Sequence, residues 1–150
     1  MAGVIALLVL FVTACGKVDV AATSVTASER TTCTALVKAL PDHVSDQAQV
    51  ETKGNPLGAA WGDPAIVLRC GVGKAAGYDK FASCQTVNGV DWFVPEKMVS
   101  DQSADVVSTT LGRTPAIEVS LPATYRPPAA AMVDLAGVIK AHTQVLKRCS

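Results

Sequence analysis

What this chain lacks narrows its chemistry first. It has no excess of charge of either sign, because 13 Lys and Arg balance 13 Asp and Glu. A nucleic-acid binder needs a basic stripe to neutralise phosphates, and none is visible, so no nucleic-acid partner is expected. There is also no run of like charge that would settle a polybasic patch on anionic lipid. The catalytic signatures with fixed spacing are missing: no H-E-x-x-H, no G-x-S-x-G, no Walker loop and no dinucleotide fingerprint. Histidine occurs only at His43 and His142, and no C-x-x-C pair accompanies them, so neither metal nor cofactor is expected. No apolar run reaches the ~18 residues that read as a membrane span. There is no internal repeat and no break that divides the chain into two folding units. The apolar content of 49% argues against disorder.

What is present begins with Val4 to Val12 (VIALLVLFV), nine consecutive apolar residues. That length matches the apolar region of a secretory signal and is too short to span a bilayer. Small residues follow in the order Val12-Thr13-Ala14-Cys15, which resembles the bacterial lipoprotein box, whose cysteine becomes the lipidated first residue. The expected division is a signal peptide over residues 1–14, a lipidated flexible tether over 15–25 and one domain over 26–150. The expected address is the extracytoplasmic face of the cell membrane, held through a lipid on Cys15, with plain secretion as the alternative. Met1-Ala2-Gly3 carries no Lys or Arg, and a basic stretch is expected upstream of it.

Of five cysteines, Cys15 is assigned to lipid, which leaves Cys33, Cys70, Cys84 and Cys149 as an even set in an oxidising compartment. Three connectivities are open to four cysteines. Helix phase helps to choose among them. Cys33, Leu36 and Leu40 share a helix face, and Met132, Leu135, Ile139, His142, Leu146 and Cys149 recur at alternating steps of three and four residues. If these two helices pack antiparallel, Cys33 faces Cys149, and Cys70 is left for Cys84.

Thr26-Ala27-Ser28-Glu29 is a capping box that opens a helix running to Leu40, where Pro41 stops it. A short strand is expected near Gln49–Thr52. Ala65–Val72 is a strand with Ile66, Leu68, Cys70 and Val72 on one face. Val87-Asn88-Gly89-Val90 is a two-residue hairpin joining strands on either side. A second hairpin joins Val106–Leu111 to Ala116–Leu121 through Gly112-Arg113-Thr114-Pro115. Pro127-Pro128 opens a last helix that continues to Cys149. The fold class is α+β: an antiparallel sheet of four to five strands, covered on one face by the N-terminal and C-terminal helices and stapled by disulfides.

The residues also carry a family resemblance. A cysteine-bearing helix ends at Leu40-Pro41, then Trp61-Gly62-Asp63-Pro64-Ala65-Ile66-Val67-Leu68-Arg69-Cys70-Gly71-Val72 follows. Next come Cys84, Asn88-Gly89-Val90-Asp91-Trp92, Gly112-Arg113-Thr114-Pro115 and Cys149. The chain resembles the actinobacterial exported proteins grouped as domain of unknown function 3515. The resemblance implies an envelope address in a mycolate-type or related bacterium. It brings no activity and no site residues.

The candidate binding residues are Trp61, Asp63, Arg69, Asp91, Trp92 and Arg113, all in or beside turns and strands. Arg69 and Asp91 are expected to pair across neighbouring strands, either holding register or lining a groove for carboxylate or phosphate. The tryptophans suit sheet packing better than a stacking platform. His142 falls on an apolar helix face, and His43 is expected in solvent. Asp63 and Asp91 are acid–base candidates only if they lie close together. The expected function is that of a non-catalytic envelope lipoprotein, an accessory or assembly partner of a membrane or cell-wall complex. The alternative is a small-ligand or glycan binding module built on the arginines and tryptophans.

Overall fold

The computed structural model describes residues 16–79 and 81–149, so the expected signal segment and Cys15 lie outside the described residues. In chain order the elements are β1 (Val18–Val20), α1 (Ala27–Lys38), β2 (His43–Val44), β3 (Gln47–Val50), β4 (Thr52–Gly54), β5 (Gly58–Trp61), β6 (Ile66–Val72), β7 (Gln85–Val87), β8 (Val90–Phe93), α2 (Glu96–Ser100), β9 (Val106–Thr110), β10 (Arg113–Thr114), β11 (Ala116–Leu121), a 3-10 turn (Ala123–Tyr125), α3 (Ala129–His142) and β12 (Gln144–Val145).

Where local chemistry is strong, the expected elements form. Thr26 Oγ1 accepts from the Glu29 amide at 3.2 Å and Glu29 Oε2 accepts from the Thr26 amide at 2.9 Å, the reciprocal capping box that starts α1. The Asn88-Gly89 turn takes φ of 47° and 79°, which sets Val87 opposite Val90 and Thr86 opposite Asp91. In β6, Ile66, Leu68 and Cys70 are fully buried, and Ile117, Val119 and Leu121 of β11 line the same core. Alternation breaks at Gly71: Cys70 faces Ile117 but Val72 faces Ala116, so Gly71, with φ of 78°, is an extra residue in β6. This bulge turns Val72 away from the core face on which alternation alone places it. A Cβ at Gly71 would strike the Val25 side chain.

The sheet is larger than four to five strands. Eight strands run in the order β2-β3-β5-β6-β11-β9-β8-β7, with all neighbours antiparallel. The strands missed in the sequence are short and unpatterned. Gly58-Ala59-Ala60-Trp61 is buried at every position, so it shows no alternation. The strand expected near Gln49–Thr52 forms as β3, but its partner β2 goes unseen because their hairpin turns on Ser45 and Asp46, both with positive φ, rather than on a glycine. If flat, eight strands would span about 34 Å between edge strands. A helix of 14 residues is only about 21 Å long, yet α3 packs against β2 at one edge and β7 and β8 at the other. The sheet therefore curls around α3, with α1 packed on α3 and β6.

Three expectations are corrected. First, the tether does not extend to Val25. β1 pairs in parallel with β4, Val20 is 1% exposed, and Thr23 Oγ1 donates to Cys70 O at 3.1 Å, so residues from Val18 onward belong to the packed domain. Second, the last helix stops at His142. Thr143 is extended at φ −123°, ψ 146°, and β12 turns to pair with β10. Met132, Leu135 and Ile139 keep the apolar face, but Leu146 is 66% exposed. Third, the bridges are Cys33–Cys70 and Cys84–Cys149, with Cα separations of 5.6 and 6.4 Å. The premise that the first helix starts where the last one ends does hold, since Ser28, Glu29 and Thr32 share a small cleft with His142. The pairing differs because Cys33 faces β6 and Cys149 is not on a helix.

Digestion without reduction is expected to yield peptides linking Cys33 to Cys70 and Cys84 to Cys149, read by mass spectrometry. Replacing Cys33 and Cys70 by Ala opens a 37-residue loop in the unfolded chain. The chain-entropy model sets the loss near 4 kcal/mol in urea unfolding.

Candidate functional site

The sheet register disperses most of the candidate residues. Arg69 on β6 lies opposite Glu118 on β11, and its Nε donates to Glu118 Oε1 at 3.1 Å while the second guanidinium nitrogen reaches the same oxygen. The pair is half-buried, with side-chain exposures of 27% and 17%. The expected Arg69–Asp91 pair does not form, because β11 and β9 lie between β6 and β8. Trp61 is fully buried and its Nε1 donates to Pro41 O at 3.0 Å. Trp92 is fully buried too, and its Nε1 finds no acceptor among the described residues. Asp63 is exposed in the turn between β5 and β6, remote in the sheet from Asp91 on β8. The two carboxylates therefore make no acid–base pair.

Asp91 and Arg113 do come together, around the C-terminal tail. Asp91 is 5% exposed. One carboxylate oxygen accepts from Thr86 Oγ1 at 2.6 Å and the other from the Cys149 amide at 3.0 Å. Arg113, 8% exposed, donates to Thr143 Oγ1 at 3.0 Å and to Gly89 O at 3.2 Å. Arg148 donates to the same Gly89 carbonyl at 3.0 Å. Leu146 and Lys147 amides both reach Gly112 O. Burial acts to raise the Asp91 pKa, but the hydrogen bonds from Thr86 and Cys149 and the charges of Arg148 and Arg113 outweigh it, and the carboxyl sits below its ordinary value. Burial and the neighbouring Arg148 lower Arg113, while Asp91 acts in the opposite sense. With donors filling both its oxygens, Asp91 acts as a buried anchor for the tail. Thr86 was readable from the Asn-Gly turn, which fixes 86 opposite 91. Thr143 and Arg148 were hidden by the expected continuation of the last helix.

Three clefts among the described residues bear on this question, and none of them is lined by Trp61, Asp63, Arg69, Asp91, Trp92 or Arg113. The largest of these three, about 540 Å³, lies between the 77–85 loop and Phe93–Val99. Phe93, Val94 and Pro95 supply apolar wall, Asp79 and Glu96 add carboxylates, and Phe81 and Val99 on the lining are 84% and 43% exposed. Tyr78 braces this region edge-on against Phe93 at 5.4 Å, with Lys74 5.5 Å from the Tyr78 ring centre. A smaller cleft of about 100 Å³ is bounded by Tyr78, Cys84, Gly112, Lys147 and Arg148. The third, about 160 Å³, includes the half-buried His142. His43 is exposed, and among the described residues no three His, Cys, Asp or Glu gather as metal ligands.

Asp91→Asn is expected to remove about 1.5–3 kcal/mol, the scale of hydrogen bonds to a charged group, and to speed amide exchange at Cys149 and Leu146. Because the folded pKa is lowered, the carboxylate's contribution is complete above the unfolded Asp value of about 3.9. It is lost as pH falls through the lower folded value. Urea unfolding followed from pH 6 downward is therefore expected to fall more steeply for the native chain than for the Asn variant.

No curated protein and no solved structure matches the chain. A family model does, over residues 1–147, a range that holds every strand described above and every cysteine of the chain except Cys149. The chain belongs to the family described as protein of unknown function (DUF3515).

Proposed function

We propose that this is an exported envelope lipoprotein, anchored to the outer face of the membrane through Cys15 and serving as a non-catalytic accessory partner of a membrane or cell-wall complex. One observation carries the address. Four of five cysteines are spent on two disulfides with each other, which leaves Cys15 as the odd one. Two bridges fit an oxidising compartment, and Cys15 follows directly on the apolar run and small residues of an export signal. The accessory role is supported by how the recognition side chains are used. Arg69 is bound to Glu118, Arg113 to Thr143 and Gly89, and Trp61 to Pro41, so they serve the fold. The exposed apolar side chains Phe81 and Val99 instead border a broad cleft, a setting suited to a protein partner. A small-ligand or glycan module is the second reading, and the cleft volume of about 540 Å³ favours it.

Intact-mass measurement on membrane-extracted protein is expected to show an acyl increment that maps to Cys15, and Cys15→Ala is expected to release the chain to the soluble fraction. Chemical cross-linking in cells followed by purification is expected to recover a stoichiometric partner. Val99→Lys is expected to weaken that recovery about tenfold, equivalent to ~1.4 kcal/mol. Recovery of the lipidated chain alone, with glycan or small-ligand binding that Val99→Lys abolishes, would instead establish the second reading.

A further inference from the structure

β1 begins at Val18, only three residues after Cys15. Resting on the reading of Cys15 as the lipidated residue, we infer that the β1–β4 corner of the domain is seated directly on phospholipid headgroups, with no tether that would let the domain swing. The argument is one of length. A chain spans at most ~3.6 Å per residue, so the path from Cys15 to Val18 reaches no farther than about 11 Å. The headgroup layer of one leaflet takes up about 5–7 Å of that. Roughly 4–6 Å then separates the headgroups from the first strand.

The strand cannot peel away cheaply to lengthen the reach. The Val18 amide donates to Glu51 O at 2.9 Å and the Asn55 amide donates to Val20 O at 2.9 Å. Val20 is 1% exposed and lies over Gly58, where a Cβ would meet its methyl group. Asn55 Nδ2 then ties Ala21 O at 3.1 Å and Thr23 Oγ1 at 3.2 Å, so the segment is fixed along its length.

The chemistry of the corner fits a headgroup layer. Lys17 pairs with Glu51 at 3.3 Å and Lys53 with Asp19 at 3.9 Å, all four side chains being largely exposed. Two cations and two carboxylates side by side complement the phosphates and ammonium groups of zwitterionic lipid without net attraction to anionic lipid. The seating is therefore set by the anchor and insensitive to salt. It also fixes where a partner can approach. The 540 Å³ cleft belongs to the β7–β8 end of the sheet and shares no lining residue with the β1–β4 corner, and β5, β6, β11 and β9 separate β8 from β3.

The test uses the full-length protein in its own membranes, with a photo-cross-linking amino acid at Lys53 or, separately, at Ser103. Ser103 precedes β9, and β5, β6 and β11 lie between β9 and β3, the strand that leads into β4. The Lys53 probe is expected to form phospholipid adducts and the Ser103 probe to form few. Inserting 20 Gly/Ser residues between Gly16 and Lys17, with a root-mean-square reach of about 25 Å, is expected to lower the Lys53 yield about tenfold, to the Ser103 level. Equal yields at Lys53 and Ser103 in a protein whose Cys15 carries an acyl mass would overturn this inference alone. An unmodified Cys15 would overturn the lipoprotein reading and the inference with it.

Discussion

Cys33 and Cys70 meet at full burial, and much of the molecule is arranged around that bond. It joins α1 to the middle of the sheet at the position where β6 bulges. Because Gly71 has no side chain, Val25 can pass close over β6 on its way to the capping residue Thr26. The bulge then shifts the register so that Ile117 still faces Cys70 while Ala116 faces Val72. One covalent link thus fixes α1 against β6, beside the bulge that sets the path of the N-terminal segment and the alignment of the two longest strands. Buried cysteines in apolar surroundings also stay out of reach of solvent thiols, so this bond is a permanent part of the core.

Elements specified by neighbours in sequence could be read from the sequence. The capping box, the Asn-Gly turn, the alternation in β11 and that in β6 as far as Cys70 each depend on residues a few positions apart, and each forms as expected, while the bulge at Gly71 takes Val72 off the expected face. Features that depend on distant partners could not be read in the same way. Nothing near Arg69 distinguishes Glu118 from Asp91 as its partner, since the choice rests on which strand lies beside β6. The small residues of β5 carry no alternation because both of its faces are buried. The tail departs from its spacing for a specific physical reason: the apolar spacing continues through Leu146 and Cys149, but Thr143 takes an extended backbone, Arg113 donates to its hydroxyl, and the chain leaves the helix to pair β12 with β10.

The candidate residues divide along the same line. Asp91 and Arg113 were singled out and do lie in one cluster, yet that cluster holds the chain together. Its centre is a carboxylate with low exposure and a full complement of donors, which marks a structural anchor more than a site awaiting a ligand. A cleft rimmed by exposed apolar side chains lies elsewhere, beside α2 and the 77–85 loop. No motif announced it, because a cleft made from two loops and a strand end has no fixed spacing to recognise. Its clearest sequence trace is Phe81, a large apolar residue in a polar stretch.

The long span of the ladder contacts has a consequence for time. Arg69 and Glu118 are 49 residues apart, Thr23 and Cys70 are 47 apart, and Cys84 waits 65 residues for Cys149. Loops of that length must close before the contacts inside them give any return, and proteins dominated by such pairings fold on the scale of milliseconds to seconds. Under the export proposed above, that delay leaves an interval in which the chain is still unfolded and can thread a membrane. Only once the C-terminal half has followed can β11 enter between β6 and β9 and complete the sheet.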